Sequence, residues 1–145
     1  MALRRGTCRF GLWFVHIDWD EKVVYRVRFL KTGQESEVPI SLHLFLDGRI
    51  TEITDVFSIA IKGNSTFAQI YREVCKVPYG ITATYGEIAK KCSTTPRVIG
   101  NAMAKNPTPI IVPCHRIVAV KGLGGYSPSI EIKAALLELE SRARC

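Results

Sequence analysis

Thr84-Tyr85-Gly86-Glu87-Ile88-Ala89-Lys90-Lys91-Cys92-Ser93-Thr94-Thr95-Pro96-Arg97-Val98-Ile99 holds two helix starts on either side of one tight turn. Thr84 and Glu87 have the spacing of a capping box. The Thr hydroxyl accepts from the third helical amide, and the Glu side chain reaches back to the cap's own amide. Thr95 followed by Pro96 is the second start, with a hydroxyl cap and a residue at the first helical position that has no N–H to leave unsatisfied. The pattern predicts helices over 85–91 and 97–105 around the turn 93–96, a helix-turn-helix. Upstream, Thr66 and Gln69 form another capping-box pattern, opening a helix that runs to about Val77 with Phe67, Ile70, Tyr71 and Val74 on one face. Pro78-Tyr79-Gly80 ends it. Downstream, a last helix starts near Ser127-Pro128 and places Ile132, Ala135, Leu136 and Leu139 on an apolar face.

The first sixty residues follow a different period. Leu12 to Ile17 and Val23 to Phe29 read as strands, the second rich in β-branched residues, joined by the turn Asp18 to Lys22. Lys31 to Glu37 is polar loop. Ile40 to Leu46 is a short apolar helix closed by Asp47-Gly48, and Ile53 to Ile61 includes one further strand. The fold class is therefore α/β, in the α+β sense. A small N-terminal α/β domain over 1–62 precedes a mostly helical domain over 63–145.

Composition narrows the function classes. With 145 residues, 47% hydrophobic and 23% charged, the chain is of a globular kind. No apolar run approaches the length of a membrane span, and Phe10 to Ile17 is too short and interrupted for a secretion signal. A cytoplasmic protein is the expectation, nucleoid-associated, or nuclear in a eukaryote. The formal net charge is +7, and between Thr66 and Lys105 six cations (Arg72, Lys76, Lys90, Lys91, Arg97, Lys105) face only Glu73 and Glu87. Such a surface attracts phosphate backbones. The cysteines are Cys8, Cys75, Cys92, Cys114 and Cys145. An odd count without a Cys-x-x-Cys pair suggests neither a disulfide framework nor a zinc motif. Cys75 is expected in the core, on an apolar helix face. Cys8, His16 and His43 form no recognisable ligand set, so neither metal nor cofactor is expected.

The chemistry concentrates at Val112-Pro113-Cys114-His115-Arg116-Ile117. A thiol reacts as its thiolate, and a neighbouring imidazole and guanidinium raise that fraction. Taken alone, an adjacent Cys-His pair is more often structural than reactive. Other residues stay equally open on sequence alone. The small residues Gly100, Ala102 and Ala104 suit either close core packing or close approach to a ligand surface. Arg97 and Glu140 read as solvated helix residues, and Asn106 as a loop residue bonding its own backbone.

Asn106-Pro107-Thr108-Pro109-Ile110-Ile111-Val112-Pro113-Cys114-His115-Arg116-Ile117-Val118 resembles the active-site signature of the O6-alkylguanine-DNA alkyltransferases, also called methylated-DNA–protein-cysteine methyltransferases. The resemblance extends through Thr84 to Ala89, Pro96 to Met103, Gly124-Gly125-Tyr126-Ser127 and the helix ending near Glu140. It implies a ribonuclease-H-like N-terminal domain and a winged-helix or helix-turn-helix domain with the active site. It implies an irreversible, single-turnover SN2 transfer of the alkyl group from O6-alkylguanine, and from O4-alkylthymine, to Cys114. His115 would act as base, oriented by Glu140. Tyr85 would help rotate the base out and donate to it. Tyr126 and Ser127 would wall the pocket, and the carbonyls of Cys114 and Ile117 would accept from the guanine amine. Asn106 would tie the loop to the helix-turn-helix, and Arg116 would hold the loop rather than touch DNA. Thr95, Arg97, Gly100 and Ala102, with Tyr85, would face the minor groove, Arg97 filling the space of the flipped nucleotide. The implied partner is double-stranded DNA containing O6-alkylguanine, bound by a monomer, cooperatively along DNA. The loops 91–97 and 118–126 are shorter than in many relatives. A binding-only relative would lack the cysteine, and a regulator reading the major groove would need larger side chains on the second helix.

Overall fold

The structure, a computed structural model, describes residues 3–125 and 129–142. Three antiparallel strands open the chain: β1 (Arg4–Phe10), β2 (Trp13–Asp20) and β3 (Val23–Leu30). The short α1 (Ile40–Leu46) follows, and β4 (Phe57–Ser58) joins β3 in parallel, giving the order β1-β2-β3-β4. A 3-10 turn at Ile59–Ile61 leads into α2 (Thr66–Val74), β5 (Ala83–Thr84), α3 (Tyr85–Lys91) and α4 (Pro96–Ala104). A second 3-10 turn, Cys114–Arg116, precedes β6 (Ile117–Val118), which pairs in parallel with β5, and α5 (Ile130–Arg142) closes the chain.

In β2 the inward set is Val15, Ile17 and Trp19, as period-two alternation requires. β1 was absent from the sequence reading, because Arg4, Arg5, Gly6 and Thr7 carry no alternating apolar signal. It forms because β2 supplies a complete ladder, from Arg4 opposite Trp19 to Phe10 opposite Trp13. Gly6 suits the close crossing of the following loop, since a Cβ there would stand 1.9 Å from the Glu37 carbonyl oxygen. The turn expected over Asp18 to Lys22 shrinks to Glu21-Lys22, with strand on both sides. β3 carries an irregularity: Trp19 faces Val24 but Asp18 faces Arg26, leaving Tyr25 as the extra residue of a bulge. Past it, Val27 and Phe29 point inward while Arg26 and Arg28 are exposed.

Two apolar clusters form. The first packs the sheet (Val15, Ile17, Val27, Phe29) on Leu42 and Phe45 of α1, together with Ile110 and with Ile132, Leu136 and Leu139 of α5. Residues beyond position 62 thus complete the core of the N-terminal sheet. The second gathers Ile70, Tyr71 and Val74 of α2, Ile88 of α3, Ile99 and Ala102 of α4, and Val112 and Ile117.

Two local expectations are corrected. The cap of α2 is Ser65, whose hydroxyl accepts from the Ala68 amide at 3.1 Å, while Gln69 turns its amide to the Asn64 carbonyl. With Ser65 as cap, Ala68 occupies the position where a capping box needs Glu or Gln. Cys75 caps the other end of α2 and is exposed, because the helix stops at Val74 and Cys75 leaves its buried face.

Candidate active site

The capping box of α3 forms in full, with Glu87 N donating to Thr84 Oγ1 at 3.1 Å and Thr84 N donating to Glu87 Oε1 at 3.0 Å. These bonds, first that from the Thr84 amide, hold the Glu87 carboxyl below its usual range. Thr95 caps α4 through Val98 N at 3.3 Å. Between the helices Ser93 takes φ +54°, completing the tight turn. The β5–β6 pairing sets Ala83 beside Ile117 and Thr84 beside Val118. The start of α3, with Tyr85, is thereby tied to the segment that follows Cys114.

Asn106 fixes the approach to the cysteine. Its Nδ2 donates to the Val112 carbonyl at 3.0 Å, and its Oδ1 accepts from Thr108 N at 3.0 Å. Within this loop Ile110 holds φ +76°, costly for a β-branched side chain. Its burial in the sheet core and the Val112 N to Thr108 O bond of 3.0 Å offset that strain. Cys114 follows as a buried thiol in the first position of the 3-10 turn.

His115 is 0% exposed, and its Nε2 lies 2.6 Å from Glu140 Oε2. Burial depresses its pKa more than Glu140 raises it, so the ring is neutral near pH 7. With Nε2–H donating to the carboxylate, Nδ1 carries the lone pair. That Nδ1 is buried without a hydrogen-bond partner among the described residues. Glu140 also accepts from Arg116 Nε at 2.9 Å, from Arg116 Nη2 at 2.9 Å and from the Gly80 amide at 3.0 Å. Burial pushes its carboxyl up, but the bonds from His115 and Arg116 outweigh it and hold the group at about 2. Arg116 donates further to the Val77 carbonyl at 2.8 Å, so it is enclosed in the fold.

Lys133, absent from the sequence reading, is 0% exposed. Its Nζ donates to the carbonyls of Ile117 at 2.6 Å and Gly125 at 3.1 Å, and stands 5.7 Å from the Tyr85 ring centre. Burial brings its pKa down to about 8, against the pull of the Cys114 charge. The same charge, after burial, raises Tyr85, and takes Tyr71, whose hydroxyl donates to the Ala102 carbonyl at 2.7 Å, to about 12. A cavity of about 440 Å³ has Cys114, Met103, Asn106 and Pro109 in its wall.

Known proteins resemble this chain along most of its length. Residues 65–142 match the sequence profile described as 6-O-methylguanine DNA methyltransferase, DNA binding domain. The chain belongs to the methylated-DNA–protein-cysteine methyltransferase family. A member from Metallosphaera sedula is 41% identical over 129 residues, 83% of this chain and 81% of the relative. One from Methanocaldococcus vulcanius is 45% identical over 95 residues, 66% of this chain and 58% of the relative. Among solved structures, the Mycobacterium tuberculosis O6-methylguanine methyltransferase superposes with a TM-score of 0.80 at 28% identity, over 98% of this chain and 94% of the other.

For this methyltransferase the expected site residues divide by location. Cys114, His115, Glu140 and Ile117 are buried close together, and half-buried Tyr85 and Asn106 border them. Thr95 and Arg97 are exposed at the start of α4, and a Cβ on Gly100 would meet nothing within 4 Å. Ala102 is corrected: at 0% exposure its methyl faces the core between α2 and α4 rather than the surface offered to DNA. Tyr126 and Ser127 lie outside the described residues. The missed Lys133 did leave a signal. Ile132, Lys133, Leu136, Leu139 and Glu140 follow helical spacing, so the lysine and glutamate share the apolar face. Among the described residues no helix is long and apolar enough to cross a membrane.

Proposed function

We propose that this protein repairs DNA by moving the alkyl group of O6-alkylguanine onto Cys114 in one irreversible turnover. The observation that carries the reading is the buried chain Glu140–His115 beside Cys114, with Nδ1 left as an unmet acceptor. The thiol proton passes through a water to His115 Nδ1, and Glu140 stabilises the imidazolium. Cys114 Sγ attacks the alkyl carbon, the S–C bond forms as the C–O6 bond breaks, and the electron pair leaves with the guanine. The base takes up a proton in return, so the thiol's proton is conserved. Tyr85 donates to the base as its charge grows. Lys133 supplies a fixed positive charge that favours the thiolate. A thioether offers water no leaving group, so the protein acts once.

The substrate is double-stranded DNA, approached from the minor groove. The M. tuberculosis protein has been solved in complex with DNA, and that structure superposes on this one with a TM-score of 0.79 at 28% identity. Exposed Thr95 and Arg97 and the open surface at Gly100 leave α4 free to press against the groove, and Arg97 fills the place of the flipped nucleotide. O4-alkylthymine is a second substrate, and the protein binds as a monomer, cooperatively along DNA. The division at 62/63 separates the N-terminal sheet from the half that carries α4 and Cys114. Intact-protein mass after incubation with a duplex containing O6-methylguanine tests the reaction. The expected result is a gain of one methylene mapped to Cys114 and absent from Cys114→Ser. Tight binding without a mass change would overturn the transfer and leave a recognition protein.

A further inference from the structure

The cavity that contains Cys114 is not built from the helical half alone. Its other wall is β3, which contributes Arg26, Arg28 and Leu30 opposite Met103 and Pro109. Val27 N donates to the Pro107 carbonyl at 2.9 Å, which fastens the edge of β3 beyond its short pairing with β4 to the loop leading to the nucleophile. The bulge at Tyr25 sets the phase of the strand beyond it, so that Arg26 and Arg28 turn outward while Val27 and Phe29 stay in the core.

Neither arginine has a carboxylate within ion-pair distance among the described residues. Asp18, opposite Arg26 in the sheet, lies 3.9 Å from Arg5 Nε instead. Two exposed guanidiniums, with no ion-pair partner among the described residues, therefore stand at the rim of the cavity that holds the nucleophile. The apolar part of that wall, Met103 and Pro109, suits a base and its alkyl group. The cationic part suits an anion, and a nucleotide extruded from the stack carries phosphates on both sides of its sugar.

We propose that Arg26 and Arg28 of β3 hold a phosphate of the lesion-bearing strand at the mouth of the Cys114 cavity. The N-terminal sheet is then a DNA-binding element, positioning the strand while α4 works in the groove. This rests on the reading that Cys114 takes alkyl groups from DNA. Phosphate contacts of this kind set register and affinity and release counterions.

The test is the double variant Arg26→Gln/Arg28→Gln, which removes both charges and keeps most of each stem. Thermal unfolding establishes that it folds. Wild-type mass gain on an O6-methylguanine duplex is measured first, and its failure would sink the transfer reading separately. Binding to that duplex is followed by fluorescence anisotropy across salt. Alkyl transfer is followed from duplex and from free O6-benzylguanine, which has no phosphate. The expected result is a loss of duplex affinity of roughly tenfold at low salt, with the slope of log affinity against log salt shallower by about one to two. The loss on duplex should exceed any loss with the free base. Equal losses on both substrates would make the arginines part of the pocket's shape and overturn the proposal, as would unchanged duplex binding. A duplex carrying O6-carboxymethylguanine supplies the last arm. A loss confined to that anionic adduct, with methylated duplex unaffected, would assign the arginines to the adduct and overturn the phosphate assignment.

Discussion

At the residue scale the site is governed by which charges are enclosed together. Glu140 neutralises Arg116 and orients His115 from one carboxylate, so a single side chain serves the fold and the base at once. Lys133 is the complementary case, an ammonium buried with two carbonyls as its visible hydrogen-bond acceptors and the Cys114 charge nearby. Replacing it with Met keeps the stem and removes the charge. The Cys114 thiolate fraction, read by ultraviolet absorbance against pH, should fall about tenfold or more near neutrality, and the transfer rate with it. In the wild type, the lysine's own contribution should fade as pH rises through about 8. An unchanged thiol titration in the variant would show that Lys133 only ties the loop.

At the element scale the caps decide where the helices begin, and the faces decide what they can touch. The boxes and caps at Thr84 and Thr95 were legible because they depend on neighbours three residues away. The start of α2 is one position earlier than its spacing predicts, since Ser65 and Thr66 are both competent caps and the choice depends on where the preceding loop arrives. In α4 the small residues split: Ala102 is packed inside, while Gly100 opens on empty space. Gly100→Ala should therefore stabilise the fold by up to about 1 kcal/mol through helix propensity alone. It should also weaken duplex binding if the groove presses on that position. Chemical denaturation and DNA titration of the same variant separate the two effects.

At the scale of the whole molecule, α5 connects the two halves. Its Ile132, Leu136 and Leu139 complete the core of the sheet, while Glu140, on the same helix, reaches His115, Arg116 and the Gly80 amide. Stability should therefore depend on pH through Glu140. Its folded value of about 2 lies below its ordinary 4.5. Its contribution is complete above 4.5 and is lost as pH falls toward 2, where the unfolded chain binds the proton more readily. An acid titration followed by circular dichroism should show cooperative loss of structure in that window. Glu140→Gln should flatten the dependence there, at a cost near 3 kcal/mol at neutral pH for leaving Arg116 and His115 without their carboxylate.

Sequence by itself determined the local architecture and the family. Helix starts, turns and the Cys114-His115 pair all depend on residues close along the chain, and the signature around Cys114 is long enough to be specific. Tertiary structure alone decided the rest. It made a strand of Arg4–Phe10, whose order comes from pairing with β2 rather than from its own pattern. It turned Cys75 out, where α2 stops at Val74, and Ala102 in, between α2 and α4. It brought Glu140 to His115 across 25 positions, buried Lys133 beside the site, and set Arg26 and Arg28 at the rim of the Cys114 cavity. Those placements come from packing and ladder formation between distant segments, and no local spacing records them.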